Sequence, residues 1–492
     1  MKKALISVFL LFAFSTLAHS DLNIELLGIL EGENDGDRFG HCVANLGDIN
    51  GDGFEDFAVG APYYPADADS GRVYIYLGDE SFDLSVDMVL DNPGEVKWFG
   101  WSICSLKDVN NDGCDEFLVD AWGYRVFLYF GGDPPDVIPD RIYREPAYGY
   151  GSSLASGDVN NDGLSDFVAR GEDTVYVYLG SEDMDTVADF VLAGNQVGMG
   201  GIAIGDVNGD GYDDIVACGT KEPDGYEMLL YFGRDSLYSE PDLTIDRIFW
   251  RGGVGDVNGD GYEDIIAWYC LYFGGEEIDT SNYLILPKAK ATGRVARVNK
   301  DRYGDIISHN SDLIGLWSQV HVYCGGAEPD TIVDWSSFIT SDFLGASIAG
   351  VDMNGDGVDE FLLGDPYYLD DSRRGATYVY SGDTTTMSVV DDIEGSSPDD
   401  IVLEQNYPNP FNTRTVIEFT VNRAPGVPSS LKVFNSHGQM VKTLFEMPLI
   451  PGRYHYVWDG TNDQHEPVAS GVYFLILEAE DVQHTRKALL IR

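Results

Sequence analysis

The nine residues Asp48-Ile49-Asn50-Gly51-Asp52-Gly53-Phe54-Glu55-Asp56 decide the fold, because they return along the chain. Versions of this acidic loop begin at Asp108, Asp158, Asp206, Asp256 and Asp352, with a damaged copy at Arg297. The starts lie 60, 50, 48, 50, 41 and 55 residues apart. Self-similarity at such a period marks a propeller or a solenoid built from like units.

The loop's chemistry points to a hard cation. Ca²⁺ takes several oxygen ligands in a flexible cage, and side chains at alternate positions of a tight loop can converge on one point. The first copy offers Asp48, Asn50 and Asp52 at positions one, three and five, and Asp56 at position nine. Gly53, at position six, permits the sharp turn that aims a neighbouring carbonyl inward. The same set recurs as Asp158, Asn160, Asp162, Asp166; as Asp206, Asn208, Asp210, Asp214; and as Asp256, Asn258, Asp260, Asp264. Two copies end in glutamate, a longer arm expected to reach the same point: Asp108, Asn110, Asp112, Glu116 and Asp352, Asn354, Asp356, Glu360. In the sixth copy Arg297 replaces the first aspartate and Tyr303 flanks the turn, leaving Asn299, Asp301 and Asp305. That copy is expected to be metal-free, with the Arg297 guanidinium supplying the ion's charge. About six calcium sites are therefore expected.

An EF-hand or dockerin loop would need an acidic residue at position twelve and flanking helices. Position twelve is apolar here, as at Val59, Ala169 and Ala217, and short apolar runs such as Phe57-Ala58-Val59 follow each loop and read as strands. An ordinary Asx turn would account for one such cluster. Six near-identical copies argue against that account.

Between loops the parts keep one order. Phe39-Gly40 opens a short strand, the acidic loop follows, a strand ends in Gly60-Ala61-Pro62, and another runs from Gly71 to Gly78. That last segment recurs as Val126 to Gly131, Val175 to Gly180, Met228 to Gly233, Tyr269 to Gly274, Val320 to Gly325 and Thr377 to Gly382. With an outer strand such as Met88-Val89-Leu90, each unit holds four strands, the content of a propeller blade.

These residues resemble the FG-GAP repeat, the blade of the integrin α-subunit propeller and of many bacterial surface proteins. Phe99-Gly100 repeats the first half of the motif, Tyr150-Gly151 is a softened version, and Gly364-Asp365-Pro366 is a near match to the second half. The resemblance covers about residues 24 to 383 and implies a seven-bladed β-propeller with Ca²⁺ in loops on one face. Ile24 to Leu30 precedes the first Phe-Gly pair and is expected to complete the seventh blade, joining the chain ends and removing a free sheet edge.

Composition agrees with this reading. The chain has 83 acidic and 30 basic residues and a net charge of −53, of which six divalent ions would cancel only twelve. Such a surface repels nucleic acid and anionic membranes, and most of its charge reads as a solubilising face. Residues 1–20 read as a secretory signal, with Lys2-Lys3, an apolar run from Ala4 to Ala18 and the small-residue site Ala18-His19-Ser20 before Asp21. The run is short for a membrane span, and no later stretch offers one. Cys42, Cys104, Cys114, Cys218, Cys270 and Cys324 form no Cys-x-x-Cys and recur at no fixed blade position. They read as buried free thiols, with Cys104 and Cys114 the pair near enough in sequence to bridge.

The propeller is thus expected over 21–382, and residues 383–402, rich in Thr, Ser and Asp, read as a linker. From Leu403 a small immunoglobulin-like β-sandwich is expected over 403–492, with strands at Thr415 to Val421, Leu431 to Asn435, Tyr454 to Trp458 and Gly471 to Glu478. The fold class is all-β. Leu403-Glu404-Gln405-Asn406-Tyr407-Pro408-Asn409-Pro410-Phe411-Asn412, Leu431-Lys432-Val433-Phe434, Trp458-Asp459-Gly460, Ser470-Gly471-Val472-Tyr473 and Thr485-Arg486-Lys487-Ala488-Leu489-Leu490 resemble a type IX secretion sorting domain of type A. That resemblance implies export across the outer membrane by the type IX machinery, with secretion or attachment at the cell surface. The Trp-Asp-Gly and Ser-Gly-Val-Tyr parts also resemble the Ig-like domain of flagellar hook-capping proteins, a relation of fold.

Two functions stand open. One is a secreted, calcium-stabilised adhesion or ligand-binding module that recognises an extracellular protein or glycan on the face opposite the metal loops. The alternative is a polysaccharide lyase or hydrolase using carboxylates or Ca²⁺ on the same scaffold. No nucleophile elbow, zinc-binding His pair or phosphate loop is present, so no catalytic residue is assigned. Only His41, His309 and His321 lie in the propeller, and no two share a motif. Tyr63-Tyr64 and Tyr367-Tyr368 follow the Gly-Ala-Pro-type turns and suit either blade packing or sugar stacking.

Overall fold

The computed structural model describes residues 22–383 and 401–491. Within these spans it leaves out 66–67, 80–83, 95, 123–124, 145–152, 172–173, 194–200, 222–224, 247–251, 268, 287–292, 312–317, 340–346, 367–373, 404–408, 410, 412–414, 422–426, 436–437, 450–451, 459, 463–467 and 480–481. The signal segment, Tyr150-Gly151, Tyr367-Tyr368 and most of the 383–402 linker lie outside the described residues. The chain divides into two compact units, Leu22–Met387 and Ser388–Arg492. No helix among the described residues is long and apolar enough to cross a membrane.

The first unit consists of seven four-stranded antiparallel sheets among the described residues. The first holds Cys42–Gly47, Asp56–Ala61, Arg72–Tyr76 and Met88–Asp91, in that order. The innermost strand of each sheet lies beside that of the next, and Ile348–Val351 of the last returns to Cys42–Gly47 of the first. The sheets therefore surround one axis, as propeller blades do.

Closure follows the expected device. Leu26–Glu31 pairs antiparallel with Ala376–Tyr380, so the start of the unit supplies the outer strand of the last sheet. The Glu25 amide also donates to Ser381 Oγ at 2.9 Å, and the Asn23 amide to the Asp383 carboxylate at 2.9 Å. Joining the two ends leaves no open edge between first and last blades.

One cross-strand pair recurs in every blade. The residue after position nine faces a tyrosine of the third strand: Phe57 with Tyr76, Phe117 with Tyr129, Phe167 with Tyr178, Ile215 with Tyr231, Ile265 with Tyr272, Ile306 with Tyr323, and Phe361 with Tyr380. Where both are aromatic the rings stack, with centroids 4.5 Å apart for Phe57 and Tyr76 and 5.1 Å for Phe117 and Tyr129. Pairs of this kind pack the blades at their broadest side chains, and each contributes roughly 0.5–1.5 kcal/mol beyond its buried area.

The glycines of the two half-motifs meet within a blade and between blades. The Gly40 amide donates to the Gly60 carbonyl at 3.1 Å. A Cβ on Gly60 would lie 2.1 Å from the Gly100 carbonyl, and one on Gly364 would lie 2.0 Å from the Gly40 carbonyl. Gly100 itself has φ +86°, a region closed to most side chains. The motif is therefore a backbone-to-backbone joint between adjacent blades.

The second unit packs a three-stranded sheet, Ile401–Leu403, Thr415–Val421 and Gly452–Trp458, with a four-stranded one. The latter runs Met440–Leu449, Val427–Asn435, Gly471–Ala479 and Val482–Leu490. All four expected strands are present, and three more, Ile401–Leu403, Met440–Leu449 and Val482–Leu490, complete the sandwich. Trp458 is fully buried, its indole N–H donating to the Thr461 carbonyl at 3.0 Å, and Phe411 and Tyr473 pack against its ring. Asn409 accepts from the Leu489 amide and donates to the Lys487 carbonyl, which ties the Asn-Pro-Phe segment to the closing strand.

Candidate metal centre and the opposite face

Each acidic loop sits between the first and second strands of its blade, at the C-terminal end of the innermost strand. In the first loop the position-one carboxylate, Asp48, accepts from the amides of Asp52 at 3.0 Å and Gly53 at 2.8 Å. Asn50 and Asp52 cap the next amides in turn, accepting from Asp52 and Phe54. The same bonds recur at Asp108, Asp158, Asp206, Asp256 and Asp352, so six loops share one conformation. All their side-chain donors are oxygens, the set a hard cation takes.

Position nine divides the loops into two kinds. Asp56 is fully buried and accepts from the Ile49 amide at 2.9 Å and the Gly78 amide at 2.8 Å, one bond for each oxygen. Asp166, Asp214 and Asp264 are held by the same two kinds of amide. Glu116 and Glu360 instead accept from one loop amide and from the Asn110 or Asn354 side chain. The extra methylene lets each carboxylate reach its loop asparagine, and at Glu116 it carries the carboxylate into the acidic cluster. Asp108, Asp112 and Glu116 accordingly each offer an oxygen within 4.8 Å of the others, and among the described residues no other acidic group forms such a cluster. Asp56, Asp166, Asp214 and Asp264 thus brace the loop from beneath it, whereas Glu116 enters the donor cluster.

Burial pushes the position-nine acids up, to about 7 at Asp56, Asp166 and Asp214, about 6 at Asp264, about 7 at Glu360 and about 8 at Glu116, and the neighbouring loop carboxylates push the same way. Accepted amide hydrogen bonds oppose that rise without cancelling it.

The sixth loop differs in a way the sequence did not show. Arg297 is exposed, and its charge is felt by Asp359 of the next loop, with no ion pair to Asp301 or Asp305 of its own. Asn299 is buried instead, donating to Asp305 at 3.3 Å and to Cys324 Sγ at 3.8 Å. An inward-turned amide fills what is a solvated acidic loop in the other blades.

A second acidic position, eight, escaped the sequence reading. Asp115 accepts from the Asp48 amide at 3.0 Å, Asp213 from Asp158 at 2.8 Å, Asp359 from Arg297 at 2.9 Å, and Glu55 from Asp352 at 2.9 Å. Each bond crosses from one blade's loop to the preceding one. The repeat of Asp or Glu at position eight, present at Glu55, Asp115, Asp213, Glu263 and Asp359, was the available signal.

The opposite end carries aromatic side chains. His41 and Trp101 follow the Phe-Gly pairs at the starts of the first two innermost strands, and Tyr63 and Trp122 follow the ends of the second strands. These four residues and Trp98 are half-buried. Trp101 stacks on Trp122 at 5.0 Å, Trp98 meets Trp122 at 5.1 Å, His41 meets Trp101 at 4.2 Å, and Tyr63 lies 6.5 Å from Trp101. Tyr64 turns away, its ring 3.8 Å beneath Arg72. His309 and His321 are buried, the latter completely. All six cysteines are free, including Cys104 and Cys114, and only Cys218 and Cys270 are buried.

Comparison with known proteins agrees with this anatomy. The FG-GAP repeat signature matches residues 43–76, an FG-GAP-like repeat matches 158–217, and a FlgD Ig-like domain matches 411–482. Integrin alpha-PS3 of Drosophila melanogaster is 29% identical over 167 residues, 30% of this chain and 15% of that protein. Integrin alpha-IIb of Mus musculus is 37% identical over 99 residues, 20% of this chain and 10% of that protein. The chain therefore spans less than a fifth of these relatives' length. Among solved structures, PorZ, a surface component of the type-IX secretion system of Porphyromonas gingivalis, aligns at TM-score 0.45 and 13% identity, covering 95% of this chain and 61% of that one. A likeness at that level bears on neither fold nor function. The repeat and integrin matches support an FG-GAP, integrin-like protein.

Proposed function

We propose that this chain is an exported adhesion or ligand-binding propeller whose acidic loops hold Ca²⁺ and whose opposite end receives an extracellular protein or glycan. The observation that carries the reading is the division of labour between the two ends. One end gathers repeated all-oxygen loops, best seen in the Asp108, Asp112 and Glu116 cluster. The other presents His41, Tyr63, Trp98, Trp101 and Trp122, half-buried rings that offer large amphipathic contact area.

In this reading calcium is structural. It neutralises the loop carboxylates and fixes the loops that tie neighbouring blades, while Asp56, Asp166, Asp214 and Asp264 brace the backbone from below. The signal segment and the resemblance of residues 403–492 to a type IX sorting domain support export through the periplasm to the outer surface.

The test presents the full chain to a panel of polysaccharides and matrix proteins, in calcium and in chelator, and scores retention and released product separately. Calcium-dependent retention without product is expected, and Trp101→Ala with Trp122→Ala should abolish it while the fold is kept. Release of fragments, or retention indifferent to both tryptophans, would overturn the assignment.

A further inference from the structure

An open channel of about 330 Å³ runs between the innermost strands of all seven sheets. One position recurs along its wall, three residues before each acidic loop. It is occupied by Asn45, Ser105, Ala155, Ala203, Gly253, Arg294 and Ala349. Six of the seven are neutral and mostly small, which keeps the channel open. The seventh is an arginine, the only charged side chain among the described lining residues.

Arg294 is set apart by its place in the channel. In a chain of net charge −53, Arg72 pairs with Glu33 and Asp91, Arg234 with Asp242, and Lys97 with Asp69, while Arg141 and Arg297, which stand outside the channel, have no ion pair among the described residues. Arg294 pairs with none among the described residues. Its Nη1 donates to the Gly252 carbonyl at 2.8 Å, and this bond orients the head group. A guanidinium carries five donors, so most of the fork is unused. Although strands surround it, the side chain is exposed, because the solvent it meets is that of the channel. The nearby thiols supply no counter-charge: burial pushes Cys42 up to about 11 and raises Cys104 as well, so both are neutral near pH 7.

We propose that Arg294 makes the channel a binding site for one small oxyanion, a carboxylate or a tetrahedral sulfate or phosphate. A planar fork matches two oxygens of such a group bidentately, and strand walls of low dielectric strengthen the pair relative to open water. The site uses no residue of the acidic loops or of the aromatic cluster, and its failure would leave the ligand-binding reading untouched.

Full-length protein would be titrated in calcium buffer with acetate, which probes the carboxylate form, and with sulfate, which probes the tetrahedral form. Sodium chloride keeps ionic strength constant, and melting temperature and calorimetry are the readouts. A saturable rise in Tm with at least one anion is expected, lost in Arg294→Met and weakened several-fold in Arg294→Lys, whose ammonium lacks the fork. The proposal is overturned if neither anion saturates, or if Arg294→Met responds as the parent does. Should Arg294→Met fail to fold, Arg294→Lys decides, and undiminished affinity in that variant would overturn the assignment.

Discussion

The Asp115 carboxylate accepts a hydrogen bond from the Asp48 amide at 3.0 Å, and the Asp115 amide donates back to the Asp48 carbonyl at 2.8 Å. This reciprocal pair joins the second acidic loop to the first. Backbone bonds of the same kind link Asp213 to Asp158, Glu263 to Asp206, Gly304 to Asp256 and Asp359 to Arg297. The loops are thus a chain of contacts around one end of the propeller.

Asp115→Ala should remove the side-chain half of that pair and cost about 1.5–3 kcal/mol, the usual worth of a hydrogen bond to a charged group. Asp115→Asn keeps an acceptor and should lose less. Urea unfolding of the two variants measures the difference, and an alanine variant as stable as the parent would show that the cross-loop bond contributes nothing.

Calcium stoichiometry separates the six regular loops from the sixth in sequence, the damaged one. Equilibrium dialysis should show one fewer bound ion for Asp52→Ala and for Asp108→Ala, and no change for Asp301→Ala, whose loop is filled by Asn299. At calcium about tenfold above a dissociation constant, each site should add about 1.4 kcal/mol. Chelator should therefore lower Tm, and an unchanged melting curve would remove the structural role assigned to the ion.

Gly60→Ala tests the joint between the first two blades. Its methyl would stand 2.1 Å from the Gly100 carbonyl, a backbone atom that cannot swing aside. Blade separation should cost about 2–4 kcal/mol, in the range of severe overpacking. Gly53→Ala is a different case: its Cβ would meet nothing within 4 Å, and only its φ of +94° opposes the change. Thermal melting should rank Gly60→Ala well below Gly53→Ala.

The repeat was legible because its signals are local. The acidic loops and the apolar second strand follow from residues near each other in sequence, and the closing role of the first strand follows from the order of parts in the repeat, with Leu26–Glu31 placed against Ala376–Tyr380 accordingly. What stayed hidden depends on side chains that meet from separate strands, across blades or within one. Asp115 reads as surface charge until Asp48 is placed beside it, and Trp101 and Trp122 are 21 residues apart in sequence yet stack at 5.0 Å. The division of position nine was hidden for another reason: Asp and Glu share a charge, and only the reach of one methylene sends Glu116 into the loop and leaves Asp56 bonded to Gly78.

Asp120 occupies the place in the second blade that Gly60 and Gly364 hold in the first and last. It is fully buried, and among the described residues neither carboxylate oxygen has a hydrogen-bond partner at full geometry, the Ala121 amide being its one weak contact. Burial raises its pKa well above the usual 3.8, with some relief from the Ala121 amide. The folded state therefore binds the proton more tightly than the unfolded chain does. Stability from this group is fully present below about pH 4 and is lost as pH rises from there towards the raised folded value. Asp120→Asn removes the charge and keeps the shape. It should match the parent near pH 4 and exceed it by about 1–3 kcal/mol at pH 8, the cost of an uncompensated buried charge. Denaturant titrations at the two pH values measure this, and parallel stability curves for the two proteins would show that Asp120 finds a partner in solution.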